Sequence, residues 1–316
     1  MNKYNWITII LFFLLTDISA QSDSSMSVGG IYYSLDGNKA VVTNQKGVKY
    51  QGEIIIPATV TYNGNTYTVT SIGQRAFEYC DSITKVVLPE TITRIGFGAF
   101  NRCYGLSSIT LPESLTLIES NAFLWCTGLK SIVIPESVDT IIPGAFFCCN
   151  GFPVIDGIRY ADTYLIEVTD KHREIYTVRE GTRWIEDNAF SNNSDLQTVV
   201  LPSTIQSIGN FSFSECPNLS SIEIPENVQL IGAGAFSFTN SLKYIICRPS
   251  NPPVVARLTD MVPFFDLVDT NEITLYVPRR SLKLYRQSPA WREFISIKPL
   301  SRKRQRRIQD KQMLIL

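Results

Sequence analysis

The sequence has a single histidine, His172, among its 316 residues. A zinc site built on several histidines is therefore excluded, and any mechanism with histidine as general base would have to use this residue. An excess of one charge is also missing, because 29 Lys and Arg balance 29 Asp and Glu. This balance gives no indication of a nucleic-acid partner. With no Ser/His/Asp order, phosphate-binding glycine loop or Cys-x-x-Cys motif either, we expect no enzyme, no cofactor and no metal site.

Long apolar runs are scarce as well. The mainly apolar range 7–15 follows Lys3 and precedes the small pair Ser19-Ala20. Such a run covers less than half of a ~30 Å hydrocarbon core, so it favours a signal peptide over residues 1–20 rather than a transmembrane helix. We therefore expect an exported protein, at the cell surface, secreted or periplasmic, with no transmembrane span in the mature chain. The alternative is an apolar segment packed on the first repeat.

What the sequence does contain is a phenylalanine that recurs after Ala or Ser. The copies are Phe77, Phe100, Phe123, Phe146, Phe190, Phe213 and Phe236. Five of the six intervals are 23 residues, and the sixth, 44 residues, equals one repeat plus an insertion of 21. Self-similarity at a fixed period of this length predicts a stack of repeats rather than two globular domains.

Each repeat follows the pattern Cys-x-x-Leu-x-x-Ile-x-Leu-Pro-x-x-Val-x-x-Ile-x-x-x-Ala-Phe. The segment Leu-x-x-Ile-x-Leu predicts a short strand with alternate side chains pointing inward, and the proline after it ends the strand. One unit buries too little apolar surface to fold alone. Stacked units cover each other's apolar faces and pair their strands about 4.8 Å apart, which predicts a solenoid.

With these motifs the sequence resembles the BspA-like, or treponemal-type, leucine-rich repeat family of bacterial surface proteins. Ile-x-Leu-Pro-Glu, Ile-Gly-x-x-Ala-Phe and the Cys three residues after Phe recur from about residue 50 to 247. The resemblance implies a β-rich leucine-rich repeat solenoid with an N-terminal β cap, one inserted β-hairpin and a C-terminal cap with a short helix. It also implies a surface protein that binds host or neighbouring-cell proteins, with extracellular-matrix glycoproteins as proposed targets.

Turn signals and composition divide the chain further. Asp36-Gly37-Asn38 and Asn63-Gly64-Asn65 predict tight turns near the N-terminus, and residues 281–294 predict a short amphipathic helix broken near Pro289. His172 follows the insertion and is interpreted as a solvated loop residue. The predicted parts are a signal peptide (1–20), an N-terminal β cap (21–62), a repeat solenoid (63–250) with a hairpin near 150–176, a C-terminal cap (251–300) and a basic tail (301–316).

The basic tail carries six Lys or Arg and one acid, Asp310. We interpret it as a disordered terminus, and contact with anionic lipid or polysaccharide is the alternative.

The cysteines allow two interpretations. Five stand three residues after a repeat phenylalanine: Cys80, Cys103, Cys126, Cys149 and Cys216. Neighbouring copies should lie about 5 Å apart, a Cα separation that a disulfide can bridge, and export would permit oxidation. However, Asn193 and Thr239 fill the same position in other repeats. Small residues with some hydrogen-bonding ability suit a buried turn, which favours free thiols.

Two surface stripes are candidate binding sites. The outward strand positions are Val87, Thr110, Val133, Val200, Glu223 and Ile246, and this mainly apolar choice is typical of a protein-binding sheet. The position two residues after phenylalanine includes Tyr79, Arg102, Trp125 and Phe238, which are residue types of protein hot spots and of sugar-stacking sites. The simpler explanations are β-propensity for the first stripe and packing over the neighbouring coil for the second.

From these patterns we predict an exported, non-enzymatic repeat protein that binds other proteins, with a host extracellular-matrix adhesin as the specific form implied by the resemblance. The alternative is a glycan-binding or envelope-structural protein of the periplasm. The repeat pattern argues for a fold, and a fold does not determine its ligand.

Overall fold

Residues 25–257, 265 and 267–301 are described by a computed structural model. The predicted signal peptide and, apart from Ser301, the basic tail lie outside the described residues. The described chain winds into a β-solenoid of about ten turns, with one short helix near its C-terminal end. The predicted fold class is therefore confirmed.

The N-terminal cap is made of strands that lead directly into the solenoid. They are β1 (Met26–Val28), β2 (Ile31–Asp36), β3 (Lys39–Thr43), β4 (Gln51–Ile55), β5 (Thr59–Tyr62) and β6 (Asn65–Ile72). Antiparallel hairpins join β2 to β3 and β5 to β6 at the two predicted turns. Because β3 also pairs in parallel with β6, the cap covers the first turn of the solenoid.

Most repeats contribute two short strands rather than the one that the sequence pattern predicts. The repeat around Val133 contributes only the second, because residues 131–135 form no strand, which corrects the predicted strand position of Val133. In the first stack the strands are β7 (Ser82–Val87), β8 (Arg94–Ile95), β9 (Ser108–Thr110), β10 (Leu117–Ile118) and β11 (Thr140–Ile141). Strands β4, β7 and β9 form a parallel front row from the Leu-x-x-Ile-x-Leu segments. Strands β6, β8, β10 and β11 form a parallel back row just before the Ala-Phe turns. Most back-row strands have only two residues, which is too few to show the alternation of apolar and polar residues that marks a strand. The sequence pattern therefore did not predict the back row.

The insertion separates this first stack from a second one. It contains β12 (Val154–Ile155), β13 (Ile158–Ala161) and β14 (Tyr164–Val168), which pair antiparallel in sequence and confirm the predicted hairpin. The second stack contains β15 (Ile175–Thr177), β16 (Trp184–Ile185), β17 (Thr198–Val200), β18 (Ser207–Ile208), β19 (Ser221–Ile224), β20 (Leu230–Ile231), β21 (Tyr244–Cys247) and β22 (Val254–Val255). Strand β14 starts the new back row by pairing in parallel with β16.

The C-terminal cap closes the far end of the solenoid. Its elements are β23 (Thr274–Val277), a 3-10 turn (Arg279–Ser281), α1 (Leu282–Gln287), a second 3-10 turn (Trp291–Glu293) and β24 (Ser296–Pro299). The helix and its break confirm the sequence prediction. Strand β24 was not predicted, because Ser-Ile-Lys-Pro has a single apolar residue, yet it extends the front row beside β23. Buried Trp291 donates from Nε1 to the Pro253 carbonyl oxygen at 2.8 Å and fixes the cap to the last repeat.

The core is organised around the repeat phenylalanines. From Phe77 to Phe146 successive rings stack with centroids 5.1 to 5.4 Å apart and interplanar angles of 7 to 8°. At the insertion Tyr164 takes over the next place in this column, 5.2 Å from Phe146, and Trp184 follows it at 6.5 Å. A second column runs from Phe190 to Phe236. The hairpin therefore replaces one repeat in the core as well as in the back row.

Candidate functional site

The front row presents the first candidate stripe to solvent, but not over its whole length. Val133 is 76% exposed, Thr110 is exposed and Val87 is half-buried. Ile55, which pairs with Val87 and is 64% exposed, lengthens the stripe towards the N-terminus. We name Ile55, Val87, Thr110 and Val133 the front stripe. Sequence reasoning missed Ile55 because its strand precedes the first full repeat.

The predicted continuation of this stripe in the second stack is different. Val200 remains half-exposed. The carboxylate of Glu223 forms an ion pair with Arg248, so it already has a partner of opposite charge within the chain. Ile246 is only 5% exposed, which corrects its predicted outward position and removes it from the accessible surface.

The tip of the inserted hairpin ends the front stripe. Asp162 accepts a hydrogen bond at Oδ2 from the backbone N–H of Ile134, at 2.9 Å. Its carbonyl oxygen accepts another bond from the guanidinium of Arg179. These contacts hold the tip between the coil that carries Val133 and the coil that leads to β16. Val200 is thus separated from the front stripe, and the two halves of the predicted surface are not continuous.

The second candidate stripe lies in the turn that follows each repeat phenylalanine. Tyr79, Arg102, Trp125 and Phe238 have φ values of 60, 61, 61 and 59°, in the left-handed region that non-glycine residues seldom occupy. The backbone N–H of Tyr79 donates to Asn101 and that of Arg102 donates to Leu124, both at 2.8 Å. This ladder between repeats compensates for the unfavourable backbone conformation. It also fixes the direction in which each side chain leaves the turn.

The structure brings three of these four side chains together and adds a cation that the sequence did not reveal. The guanidinium carbon of Arg102 lies 5.0 Å from the ring centroid of Tyr79, and Nζ of Lys49 lies 5.3 Å from the same centroid. Trp125 occupies the next repeat and is 38% exposed. Phe238 is also exposed but lies at the far end of the second stack. No local signal marks Lys49, because its place depends on how the cap packs on the first repeat.

The cysteines are resolved as free thiols: all seven are unbridged. Cys103, Cys126 and Cys149 each donate from Sγ to the carbonyl oxygen of the phenylalanine one repeat earlier, at 2.9 to 3.1 Å. Cys216 makes the same contact at 3.2 Å. Burial raises the pKa of the Cys216 thiol to about 11, and burial also raises the pKa of the Cys126 thiol well above its ordinary value. The ladder of cysteines therefore stabilises the turns, and buried thiols with a raised pKa are poor nucleophiles.

Other groups with chemical potential are placed as follows. His172 is exposed in the loop after the hairpin, with Nδ1 3.6 Å from Oδ2 of Asp195. Within residues 25–257, 265 and 267–301, we find no cluster of three His, Cys, Asp or Glu side chains suited to a metal ion. In the same part of the chain no helix is both long and apolar enough to cross a bilayer.

One buried acid was missed by sequence analysis. Glu186 is fully buried beside the insertion, where its carboxylate accepts hydrogen bonds from the backbone N–H groups of Gly144, Phe146 and Asp187. In regular repeats the corresponding N–H groups pair with carbonyl oxygens of the next coil, as Phe100 does with Ala122. Glu186 therefore replaces the backbone acceptors that the insertion removes. Burial raises its pKa to about 7.

These features define a class: a parallel β-solenoid of stacked leucine-rich repeats, capped at both ends, with exposed side chains at repeated positions. The BspA-type leucine-rich repeat region matches residues 55–157 and 171–253 in six copies. The chain therefore belongs to the BspA-type leucine-rich repeat family. Proteins of this family are typically non-enzymatic binding proteins, and leucine-rich repeat proteins generally bind other proteins.

Solved structures of leucine-rich repeat proteins are similar to this chain. One from Bacteroides ovatus is 23% identical, with 87% of this chain and 67% of that chain covered and a TM-score of 0.45. One from T. pallidum is 24% identical, with 69% of this chain and 90% of that chain covered and a TM-score of 0.42. One from Bacteroides capillosus is 34% identical, with 42% of this chain and 96% of that chain covered and a TM-score of 0.38. No curated protein matches the chain.

Proposed function

We propose that this chain is an exported cell-surface protein that binds other proteins through its front stripe, with host extracellular-matrix glycoproteins as the partner class. The observation that carries the proposal is that three of the four front-stripe side chains are apolar, with Ile55 64% and Val133 76% exposed to water. Apolar side chains exposed at repeated positions of one surface are typical of a protein-binding site. Family membership supports the surface location, because BspA-like proteins are usually surface-exposed. The predicted signal peptide supports export.

The geometry of the front stripe suits a flat partner surface. Ile55 pairs with Val87, and Val87 pairs with Thr110, so these side chains lie on neighbouring strands about 4.8 Å apart. Lys85 and Glu53 form an ion pair at 2.9 Å on the same strands, two residues earlier. An apolar centre with a polar margin is the usual anatomy of a protein interface.

The test is a pull-down of extracellular-matrix and cell-surface proteins with the mature chain, residues 21–316. We expect Ile55→Asp combined with Val133→Asp to abolish capture, because two charges would be buried without partners in the interface. The melting temperature should change little, since both side chains already face water. The matched control is Ile295→Asp, because Ile295 is 77% exposed and lies outside the stripe. Capture retained by the double variant, or lost equally in the control, would contradict the proposal.

A chain that ends at residue 300 separates the solenoid from the basic tail. Capture by both lengths supports binding by the solenoid. Capture by the longer chain alone would assign binding to the tail and overturn the proposal for the front stripe.

The second candidate is a glycan-binding or envelope-structural role in the periplasm. The observation that favours it is the aromatic turn surface, where Tyr79 and Trp125 are 46% and 38% exposed and two cations lie over the Tyr79 ring. Exposed aromatic side chains contact the C–H side of sugar rings, and rigid turns hold these side chains in place. This surface and the front stripe are made of different residues, so the two functions can be tested separately.

A further inference from the structure

The turns of the first repeats carry a surface that the front stripe does not include. We name it the cationic aromatic edge, and it consists of Lys49, Tyr79, Arg102, Tyr104 and Trp125. We propose that this edge is a binding site for an anionic polysaccharide, a glycan whose sugars carry sulfate or carboxylate groups. The proposal deepens the glycan-binding candidate and rests on it, whereas it is independent of protein binding through the front stripe.

The edge is arranged in advance of any ligand. Tyr79, Arg102 and Trp125 occupy the same position in three consecutive repeats and share a left-handed backbone. Interrepeat hydrogen bonds join their turns, and Trp125 continues the ladder by donating to Phe147 at 3.1 Å. The side chains therefore rise along the solenoid by about 4.8 Å per repeat, close to one sugar unit in an extended polysaccharide. A ligand of that kind could contact successive repeats with successive sugars.

The rings of the edge are exposed, but Tyr79 already carries Lys49 and Arg102 over its ring, so Tyr104 and Trp125 are the rings available for stacking. Tyr79 is 46% exposed, Tyr104 is 44% exposed and Trp125 is 38% exposed. An aromatic face offers apolar area to the C–H side of a sugar ring at a low cost in side-chain entropy, since only two torsions are fixed. Two such rings on adjacent coils, with the Tyr79 ring and its cations beside them, favour a chain-like ligand over a single small molecule.

The cations of the edge select for negative charge. Lys49 and Arg102 approach the Tyr79 ring at 5.3 and 5.0 Å, so a sugar stacked on this edge would lie next to both charges. Nζ of Lys49 also donates to the backbone carbonyl of Glu78 at 3.4 Å, which orients the ammonium group without neutralising it. Guanidinium and ammonium groups bind sulfate and carboxylate through charge-assisted hydrogen bonds.

The nearby acids do not cancel these cations. The Glu78 carboxylate accepts from Nδ2 of Asn101 at 2.8 Å and pairs with Arg75 at 3.7 Å. Asp81 is exposed and accepts from the hydroxyl of Ser82. In the part of the chain that the structure describes, neither Lys49 nor Arg102 forms an ion pair with a carboxylate. Both charges therefore remain available to a ligand.

The chain offers a matched control at the same structural position. Phe238 has φ 59° and is 47% exposed, almost the same values as Tyr79. Among the described residues no cation lies over its ring. If exposed aromatic side chains in these turns bound sugars without any help from cations, Phe238 and Tyr79 would contribute equally to the affinity for the glycan.

The experiment measures binding of the full chain to three immobilised probes: heparin, which is sulfated, polygalacturonate, which is carboxylated, and dextran, which is neutral. We expect binding to heparin or polygalacturonate and none to dextran. Lys49→Gln combined with Arg102→Gln should raise the Kd on the order of tenfold, and Tyr79→Ala or Trp125→Ala should weaken binding as well. Arg102→Lys should retain most of the affinity, and Phe238→Ala should leave it unchanged. If Lys49→Gln combined with Arg102→Gln weakens binding to heparin alone, the recognised group is sulfate. If the same variant weakens binding to both heparin and polygalacturonate, the site recognises anionic sugars in general.

The basic tail is the competing explanation, so Arg306→Gln combined with Arg307→Gln is measured in parallel. Binding that falls only in this tail variant, or equally in Phe238→Ala and Tyr79→Ala, would overturn the proposal. Circular dichroism of each variant checks that the solenoid is intact. The variant with Ile55→Asp and Val133→Asp should keep its glycan affinity, which distinguishes failure of this site from failure of the front stripe.

Discussion

Single side chains in this protein are repeated until they form columns, and the cysteine column shows what each member contributes. Sγ of Cys126 donates to the carbonyl oxygen of Phe100 at 3.1 Å, and both groups are buried. The same carbonyl oxygen also accepts from the backbone N–H of Cys103 at 3.1 Å, so the thiol is its second donor. A typical hydrogen bond of this kind contributes about 1 kcal/mol, and the thiol supplies it with a side chain small enough for the turn. A disulfide between neighbouring copies would remove this second donor from each carbonyl.

Thiol labelling tests this assignment. Cys148 is the one cysteine that is not buried, so we expect iodoacetamide to modify one of the seven thiols in the native protein. The reaction should be slow, because partial burial raises the pKa of the Cys148 thiol. In urea without reductant all seven should react, as counted by mass spectrometry. Native labelling should disappear in Cys148→Ser, and fewer than seven modified thiols in urea would show a disulfide instead.

Sequence reasoning succeeded at positions where the repeat itself carries the information. The small residue three positions after each repeat phenylalanine predicted a buried turn. Seven copies of this position share the same residue character, so the prediction did not depend on any single copy. It failed where a single position depends on contacts distant in sequence. Lys49 lies in the cap and approaches Tyr79 from there. Ile246 is buried, although its position in the repeat predicts that its side chain faces solvent. Neither placement follows from the local pattern.

Among the elements, the inserted hairpin has the largest effect on the rest of the molecule. Strand β14 continues the back row, and Tyr164 continues the aromatic column. Arg159 donates from Nη1 to the carbonyl oxygens of Asn150 and Phe152, at 2.8 and 2.6 Å. Glu186 accepts from the N–H groups on the other side of the break. One cation and one anion thus satisfy the backbone groups that the interrupted stack leaves behind.

The position of Glu186 makes the stability of this junction depend on pH. Burial, followed by the charge of Asp187, raises the pKa of Glu186 from 4.5 to about 7 in the folded chain. Between these values the folded state binds a proton that the unfolded state releases, so stability falls as pH rises from about 4.5 to about 7. The full effect is up to about 3 kcal/mol. Above about pH 7 this contribution is lost.

Glu186→Gln mimics the protonated carboxyl and should remove most of this dependence. We expect urea midpoints of the native chain to be lower at about pH 8 than at about pH 5, with a smaller difference in the variant. Glu215→Gln is the control, because Glu215 is exposed and lies in a turn of the second stack. An equal pH difference in the native chain and in Glu186→Gln would contradict the assignment.

At the scale of the whole molecule, the fixed period is what made the fold predictable. A spacing of 23 residues determines which side chains meet in the next coil, so the phenylalanine column and the front row follow from the sequence alone. The ends and the break do not follow in the same way. Strand β24 and the replacement of a repeat by Tyr164 are set by what remains uncovered after the regular coils have stacked.

If each coil interacts only with its neighbours, one full repeat should be removable. Deletion of residues 214–236 joins Phe213 to Ser237 and keeps every later residue at its place in the period. We expect this shortened chain to retain a β-type circular dichroism spectrum and cooperative melting, with a lower melting temperature from the lost Phe213–Phe236 contact at 5.8 Å. It should also keep its affinity for anionic polysaccharide, because the cationic aromatic edge lies entirely in the N-terminal cap and the first stack.

The control deletion, residues 219–230, removes fewer residues but shifts the period by about half a repeat. It retains Phe213 and Phe236 but places Phe236 out of register with the column, so apolar faces of neighbouring coils no longer meet. We expect that variant to unfold or aggregate. Equal loss of structure in both deletions would mean that the solenoid folds as one indivisible unit, in which the caps and the hairpin fix the number of coils. Survival of the longer deletion alone would show that register, rather than the amount of chain, determines whether the stack forms.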